Sequence, residues 1–108
     1  MAKPHIINFE DAKEIMDCLP YVLIDVREEY EYLTGHATGA HLLPVGKITR
    51  ESAAAIIPHK DMPVFVYCKS GMRSFTAANK LFSFGYTNVL DMGSLVGWPY
   101  GISYERDE

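Results

Sequence analysis

Cys68 heads the run Cys68-Lys69-Ser70-Gly71-Met72-Arg73-Ser74, the stretch of this chain best equipped for covalent chemistry. A cysteine attacks as its thiolate, and thiolate accumulates where cations and unpaired backbone N–H groups converge on the sulfur. Lys69 and Arg73 bring positive charge to the loop, and Gly71 allows a positive φ or a close backbone approach. Ser70 and Ser74 are of a type that caps helices. The competing reading is a small buried hydrophobe, a common role for a cysteine at a strand end. Two cations and a glycine set Cys68 apart from that case.

The elements on either side of the loop must hold the sulfur in place. Pro63 precedes Val64-Phe65-Val66-Tyr67, a β-branched and aromatic run suited to a strand buried on both faces, and the run ends on Cys68. Beyond Gly71, Phe75, Ala78 and Phe82 recur at three- and four-residue steps with Leu81 beside them. That spacing predicts an amphipathic helix, stopped by Gly85 as a left-handed cap. Strand, tight loop and helix start together aim the Cys68 sulfur at the first turn of the helix, in a surface pocket. Orphan N–H groups and the positive end of the helix dipole favour an anion there. The thiol pKa is therefore expected below its free value of about 8.5.

Upstream, His5-Ile6-Ile7 reads as a short strand, and Asn8 with Asp11 as the start of a helix carrying Ala12, Ile15, Met16 and Leu19 as far as Pro20. Tyr21 to Val26 is a second near-continuous apolar strand, interrupted near its carboxyl end by Asp25. Asp25 and Arg27 can hold a loop by paired hydrogen bonds, while Gly35 and Gly39 permit turns before a strand at His41-Leu42-Leu43. Thr49 can cap a helix with Ala53, Ala54, Ile56 and Ile57 that Pro58 closes, and a last strand is expected at Val89-Leu90-Asp91. Strands and helices alternate throughout. The expected fold is α/β: a five-stranded, mostly parallel sheet with helices on both faces and any site at the carboxyl ends of the strands.

The 108 residues suffice for one core, so a single domain over 1–108 is expected. A hydrophobic fraction of 48% with 22% charged residues belongs to a globular chain rather than a disordered one. Net charge is −4 and the cations are scattered, which argues against a nucleic-acid surface or a polybasic membrane patch. No apolar run reaches transmembrane length and Met1-Ala2-Lys3-Pro4-His5 opens no secretory segment, so a complete chain of this kind is expected in the cytoplasm. Cys18 and Cys68 make neither a zinc pattern nor a Cys-x-x-Cys pair, and Cys18, among Ile15, Met16 and Leu19, is expected to be a packed structural thiol. His5, His41 and His59 lack ligand spacing, so no metal and no cofactor are expected. Glu105-Arg106-Asp107-Glu108 is expected to be a solvated tail.

With these elements in place, the loop from Cys68 to Ser74 resembles the active-site loop of the rhodanese family of sulfurtransferases. Asp25-Val26-Arg27, then Glu28-Glu29-Tyr30-Glu31-Tyr32 and Gly35-His36-Ala37-Thr38-Gly39-Ala40, resemble that family's first signature. Met92-Gly93-Ser94-Leu95-Val96-Gly97-Trp98 resembles its closing signature, a Gly-Gly pair opening a helix that bears a tryptophan. Here Ser94 replaces the second glycine and Pro99 follows Trp98, so a shortened closing helix is expected, with Trp98 as a core or pocket-edge aromatic.

The resemblance covers nearly the whole chain and implies a rhodanese-like fold with a structural turn role for His36. It also implies sulfur transfer: Cys68 would take a sulfane sulfur from a small anionic donor such as thiosulfate, hold it as a persulfide, and pass it to cyanide or a thiol. Lys69, Ser70, Gly71, Met72 and Arg73 would then bind substrate, with Asp25, Arg27 and Ser74 as structural support. Arg73 is equally suited to pairing with a carboxylate of the domain body. Phosphatases and arsenate reductases of related architecture carry a loop one residue longer than the four residues between Cys68 and Arg73. The resemblance implies that the tighter ring suits a single sulfur better than a phosphate. Two further readings keep the fold: a relay that works with a sulfur-accepting protein, and a non-catalytic binding module.

Overall fold

The structure is a computed structural model that describes residues 3–104. The expected tail at Glu105 to Glu108 lies outside the described residues. β1 (His5–Ile6) leads to α1 (Phe9–Cys18), which Asn8 caps by accepting the Asp11 N–H at 2.7 Å. β2 (Val22–Asp25) is followed by α2 (Glu29–Leu33), β3 (His36–Ala37) and β4 (His41–Leu42). A single 3-10 turn at Val45–Lys47 precedes α3 (Arg50–Ile56), where Thr49 and Ser52 cap one another's N–H groups at 3.0 and 2.8 Å. β5 (Val64–Cys68), α4 (Met72–Ser83), β6 (Val89–Ser94) and β7 (Ile102–Ser103) complete the described chain.

Five strands form one parallel sheet in the order β1-β6-β5-β2-β4, as expected for an α/β chain. β5 lies at its centre with all five residues buried, and its side chains alternate between two cores. Val64, Val66 and Cys68 face α3 and α4 with Ala53, Ala77, Ala78 and Leu81. Phe65 and Tyr67 face the other side, where α1 contributes Ala12 with Ile15 and Met16 packed against it. Full burial of such apolar side chains contributes about 1.5–3 kcal/mol each, which explains why the central strand shows no polar face. Between Val66 and Tyr67 the pairing with β6 slips by one residue, from Asp91 to Gly93, so that Cys68 stands opposite Ser94.

Three expectations need correction, and one helix was not foreseen. The closing helix is absent: β6 runs on through Ser94, and residues 95–98 make one turn, with the Trp98 N–H donating to the Leu95 carbonyl at 2.9 Å. Pro99 has no N–H to continue a helix, and the chain instead forms β7, antiparallel to β3, in a second sheet of two strands. Phe75 is 63% exposed, because the buried stripe of α4 runs through Ser74, Ala77, Ala78 and Leu81. Cys18 is exposed at the last position of α1 rather than packed. The short helix α2, opened by a reciprocal cap between Glu28 and Glu31, had no counterpart in the sequence reading. Gly85 follows α4 at φ +99, the left-handed position that glycine tolerates best.

Candidate active site

β5 delivers Cys68 to the carboxyl edge of the sheet, and Gly71, at φ +98, bends the chain so that α4 begins at Met72. The Gly71 N–H donates to Cys68 Sγ at 2.9 Å and the Ser74 N–H at 3.4 Å. A Cβ at position 71 would meet nothing closer than the Gly93 Cα at 3.9 Å, so glycine is required there by backbone conformation, not by space. Ser74 is fully buried and its hydroxyl donates to the Gly71 carbonyl at 3.1 Å, which ties the helix start to the loop.

Burial pushes the Cys68 thiol up, but the amide and hydroxyl of Ser74 and the amides of Gly71 and Ser70 outweigh it, and the thiol lies below its ordinary value. The lowering thus comes chiefly from neutral donors on the loop. Cys68 itself is not at the surface: its exposure is 0%. The expected surface pocket at the thiol is corrected accordingly.

Arg73 had two candidate partners, and the structure shows the carboxylate. Its Nη1 donates to Glu31 Oε1 at 2.6 Å and its Nη2 to Oε2 at 2.9 Å, a fork that joins α4 to α2. The hydrogen bond from Arg73 is the largest cause holding Glu31 down at about 2, against the opposing effect of burial. Asp25 and Arg27 form a second, more deeply buried fork. Arg27 Nε donates to Asp25 Oδ1 at 3.0 Å and Nη2 to Oδ2 at 2.7 Å, while Nη2 also reaches the Gly35 carbonyl at 2.7 Å. The register that sets Asp25 beside Tyr67 lets the Tyr67 hydroxyl donate to Asp25 Oδ2 at 2.8 Å and accept the Ala37 N–H at 3.0 Å. Desolvation and the neighbouring carboxylate hold the Tyr67 phenol far above its ordinary range, so it stays a donor.

A cleft of about 420 Å³ opens beside the loop. Lys69 and Arg27 lie on its wall with Leu95, Val96, Trp98 and Ile102. The Leu95 N–H donates to the Cys68 carbonyl at 2.9 Å, which fixes this wall against the end of β5. Ser70 and Met72 point outward, Met72 with 79% exposure, and neither borders the cleft.

A family model described as Rhodanese-like domain matches residues 8–99. The chain belongs to the rhodanese-like family. A Schizosaccharomyces pombe protein provisionally named a mitochondrial thiosulfate sulfurtransferase is 40% identical over 90 residues, which is 71% of this chain and 62% of that relative. The chain therefore spans less than two thirds of that protein's length. The thiosulfate sulfurtransferase GlpE of Pseudoalteromonas translucida is 31% identical over 106 residues, 95% of either chain. Among solved structures, a rhodanese with anions from E. coli superposes with a TM-score of 0.73 at 31% identity, covering 80% of this chain and all of the other.

Within this rhodanese-like domain the sequence reading missed Glu31, the partner of Arg73. An acid on the short helix after Asp25-Val26-Arg27 was visible, but nothing local tied it to a residue 42 positions away. It also missed the Tyr67 hydroxyl, since Tyr67 reads as one more apolar position of β5. His36 is buried in β3, its Nδ1 2.9 Å from the Tyr32 carbonyl and its ring stacked on Tyr32 at 3.6 Å. Among the described residues no helix is long and apolar enough to cross a membrane, and no cluster of three or more His, Cys, Asp or Glu could hold a metal ion.

Proposed function

We propose that this domain is a sulfurtransferase that carries a sulfane sulfur from thiosulfate, or an equivalent anionic donor, to a thiophilic acceptor through a persulfide on Cys68. The observation that carries the reading is the pair of loop amides, from Gly71 and Ser74, directed at Sγ. The Cys68 thiolate attacks the outer sulfur of thiosulfate; the S–S bond of the donor breaks and sulfite leaves with the electron pair. The acceptor then attacks the outer sulfur of the persulfide, and the Cys68 thiolate is restored. Two transfers replace one, which gives ping-pong kinetics.

The donors that lower the thiol also suit the negative charge that both steps keep on sulfur. Lys69, exposed and next in sequence, adds attraction for an anionic donor. Arg73 acts in this reading by holding the loop to α2, because its guanidinium is already shared with Glu31. Asp25 and Arg27 hold the loop after β2 in the same way. The likeness to proteins named thiosulfate sulfurtransferases supports the donor. The four-residue spacing from Cys68 to Arg73 supports sulfur over phosphate.

Incubation with thiosulfate followed by intact-mass measurement tests the proposal. A gain of one sulfur, removed by cyanide and absent in Cys68→Ser, is the expected result. No gain with thiosulfate, together with hydrolysis of aryl phosphates, would overturn it. The full burial of Cys68 favours one variant, a relay in which a partner protein opens the loop; a mass gain that needs such a partner would identify it.

A further inference from the structure

The cleft beside the loop is far larger than thiosulfate or cyanide needs. Its volume of about 420 Å³ falls in the range of pockets that hold whole organic ligands, roughly 300–1,000 Å³. Three charged side chains on its wall decide what it takes. Arg27 is neutralised by the buried fork with Asp25, and Glu31 by its fork with Arg73. Lys69 makes no ion pair among the described residues, so among them it is the one uncompensated charge on the cleft wall, and it is positive. The rest of the wall is apolar at Leu95, Val96, Trp98 and Ile102. Trp98 is 8% exposed, and its indole N–H has no acceptor among the described residues.

We infer that this cleft is the acceptor subsite and that it selects a small organic thiol carrying a carboxylate: the aliphatic part lies on Leu95 and Val96, and the carboxylate faces Lys69. The inference rests on the sulfur-transfer reading above and names its second substrate. In the step it serves, the acceptor thiolate attacks the outer sulfur of the Cys68 persulfide. A new S–S bond forms on the acceptor, the S–S bond to Cys68 breaks, and its electron pair stays on Sγ as thiolate. The thiol proton goes to water and no oxidant is needed. Lys69 lies on the cleft wall, where its charge attracts the acceptor's carboxylate.

Two measurements test this. In the first, the thiosulfate-loaded protein is discharged by 3-mercaptopropionate or by 2-mercaptoethanol, matched in size and different in charge. Each variant is compared with the unaltered protein for one thiol at a time, which cancels the thiols' own reactivities. Lys69→Gln should slow the carboxylate thiol roughly three- to fivefold more than the neutral thiol, the size of one exposed charge pair. Val96→Asp should act in the same direction, and Val96→Lys should speed the carboxylate thiol; Val96 is 79% exposed, so either change is compatible with the fold. Equal effects on both thiols would overturn the inference.

The second measurement needs no turnover. Trp98 is the only tryptophan of the chain and lies on the cleft wall, so its fluorescence reports occupancy. The unreactive thioether 3-(methylthio)propionate should give a saturable change that Lys69→Gln weakens; no such change would overturn the inference. A saturable change in protein that never gains sulfur from thiosulfate would uphold the subsite and count against the donor proposed above.

Discussion

Replacing Ser74 by alanine removes one hydroxyl from a fully buried position and leaves the backbone donor in place. The hydroxyl donates to the Gly71 carbonyl at 3.1 Å and also helps hold the Cys68 thiol down. Losing a neutral hydrogen bond costs about 1 kcal/mol, and the better helix propensity of alanine offsets roughly half of that. Stability should therefore change by less than about 1 kcal/mol, too little to unfold a domain. The thiolate loses the lowering that the Ser74 side chain contributes, so the thiol pKa should rise. Below the thiol pKa the thiolate population should therefore fall, and above it the population should be unchanged. The assay is the rate of sulfur gain from thiosulfate across a pH series. In Ser74→Ala the acid limb should move to higher pH while the alkaline plateau is kept. A superimposable acid limb would refute the assignment, and a lowered plateau with an unmoved limb would show that Ser74 acts by packing alone.

The remaining predictions concern the two forks. Asp25→Asn leaves the Arg27 guanidinium buried without its carboxylate, and breaking such a pair from one side costs about 3–5 kcal/mol; a urea-denaturation loss below about 1 kcal/mol would contradict the structural role of this pair. Glu31 has its folded pKa depressed from 4.5 to about 2. Its contribution to stability is therefore complete above the unfolded value and is lost as pH falls through about 2. Glu31→Gln should be less stable at neutral pH by up to about 1 kcal/mol, since the pair is partly exposed and screened, and the two melting curves should converge in strong acid. A gap independent of pH would show that the fork contributes nothing electrostatic.

What could be read from the chain was whatever repeats at short range. The apolar runs at Val22 to Asp25 and Val64 to Cys68, each buried on both faces, pointed to a sheet covered on both sides, and the alternation of strands with helices pointed to a parallel one. Asn8 and Thr49 marked helix starts that the structure shows capped. Phe75 misled because helical spacing identifies a stripe but not which of two adjacent stripes faces inward; Ala77 and Ala78 fit closely against the sheet, and the larger ring was left outside. The pairing of β3 with β7 joins residues 66 or so positions apart, and neither two-residue strand has a period of its own to detect.

The site was legible in its backbone and less so in its side chains, and the reason is electrostatic. Cations next to a cysteine in sequence suggested that charge would lower the thiol. In the fold Arg73 is drawn to Glu31, where two short hydrogen bonds to a carboxylate outcompete a diffuse attraction to sulfur. The lowering then falls to amides and a hydroxyl, which can act only if they are held in place and kept from water. That demand is met at Cys68, which is fully buried with the Gly71 and Ser74 amides donating to its sulfur. The same demand bears on the proposed transfer step. In the proposed reaction a persulfide would place a second sulfur one bond of about 2.05 Å beyond Sγ, so the atom to meet an acceptor would be the outer sulfur, with the buried thiolate as its leaving group. A leaving group stabilised before the reaction begins needs no proton donor when the bond breaks, and no acid has to be sought beside Cys68 to explain its release.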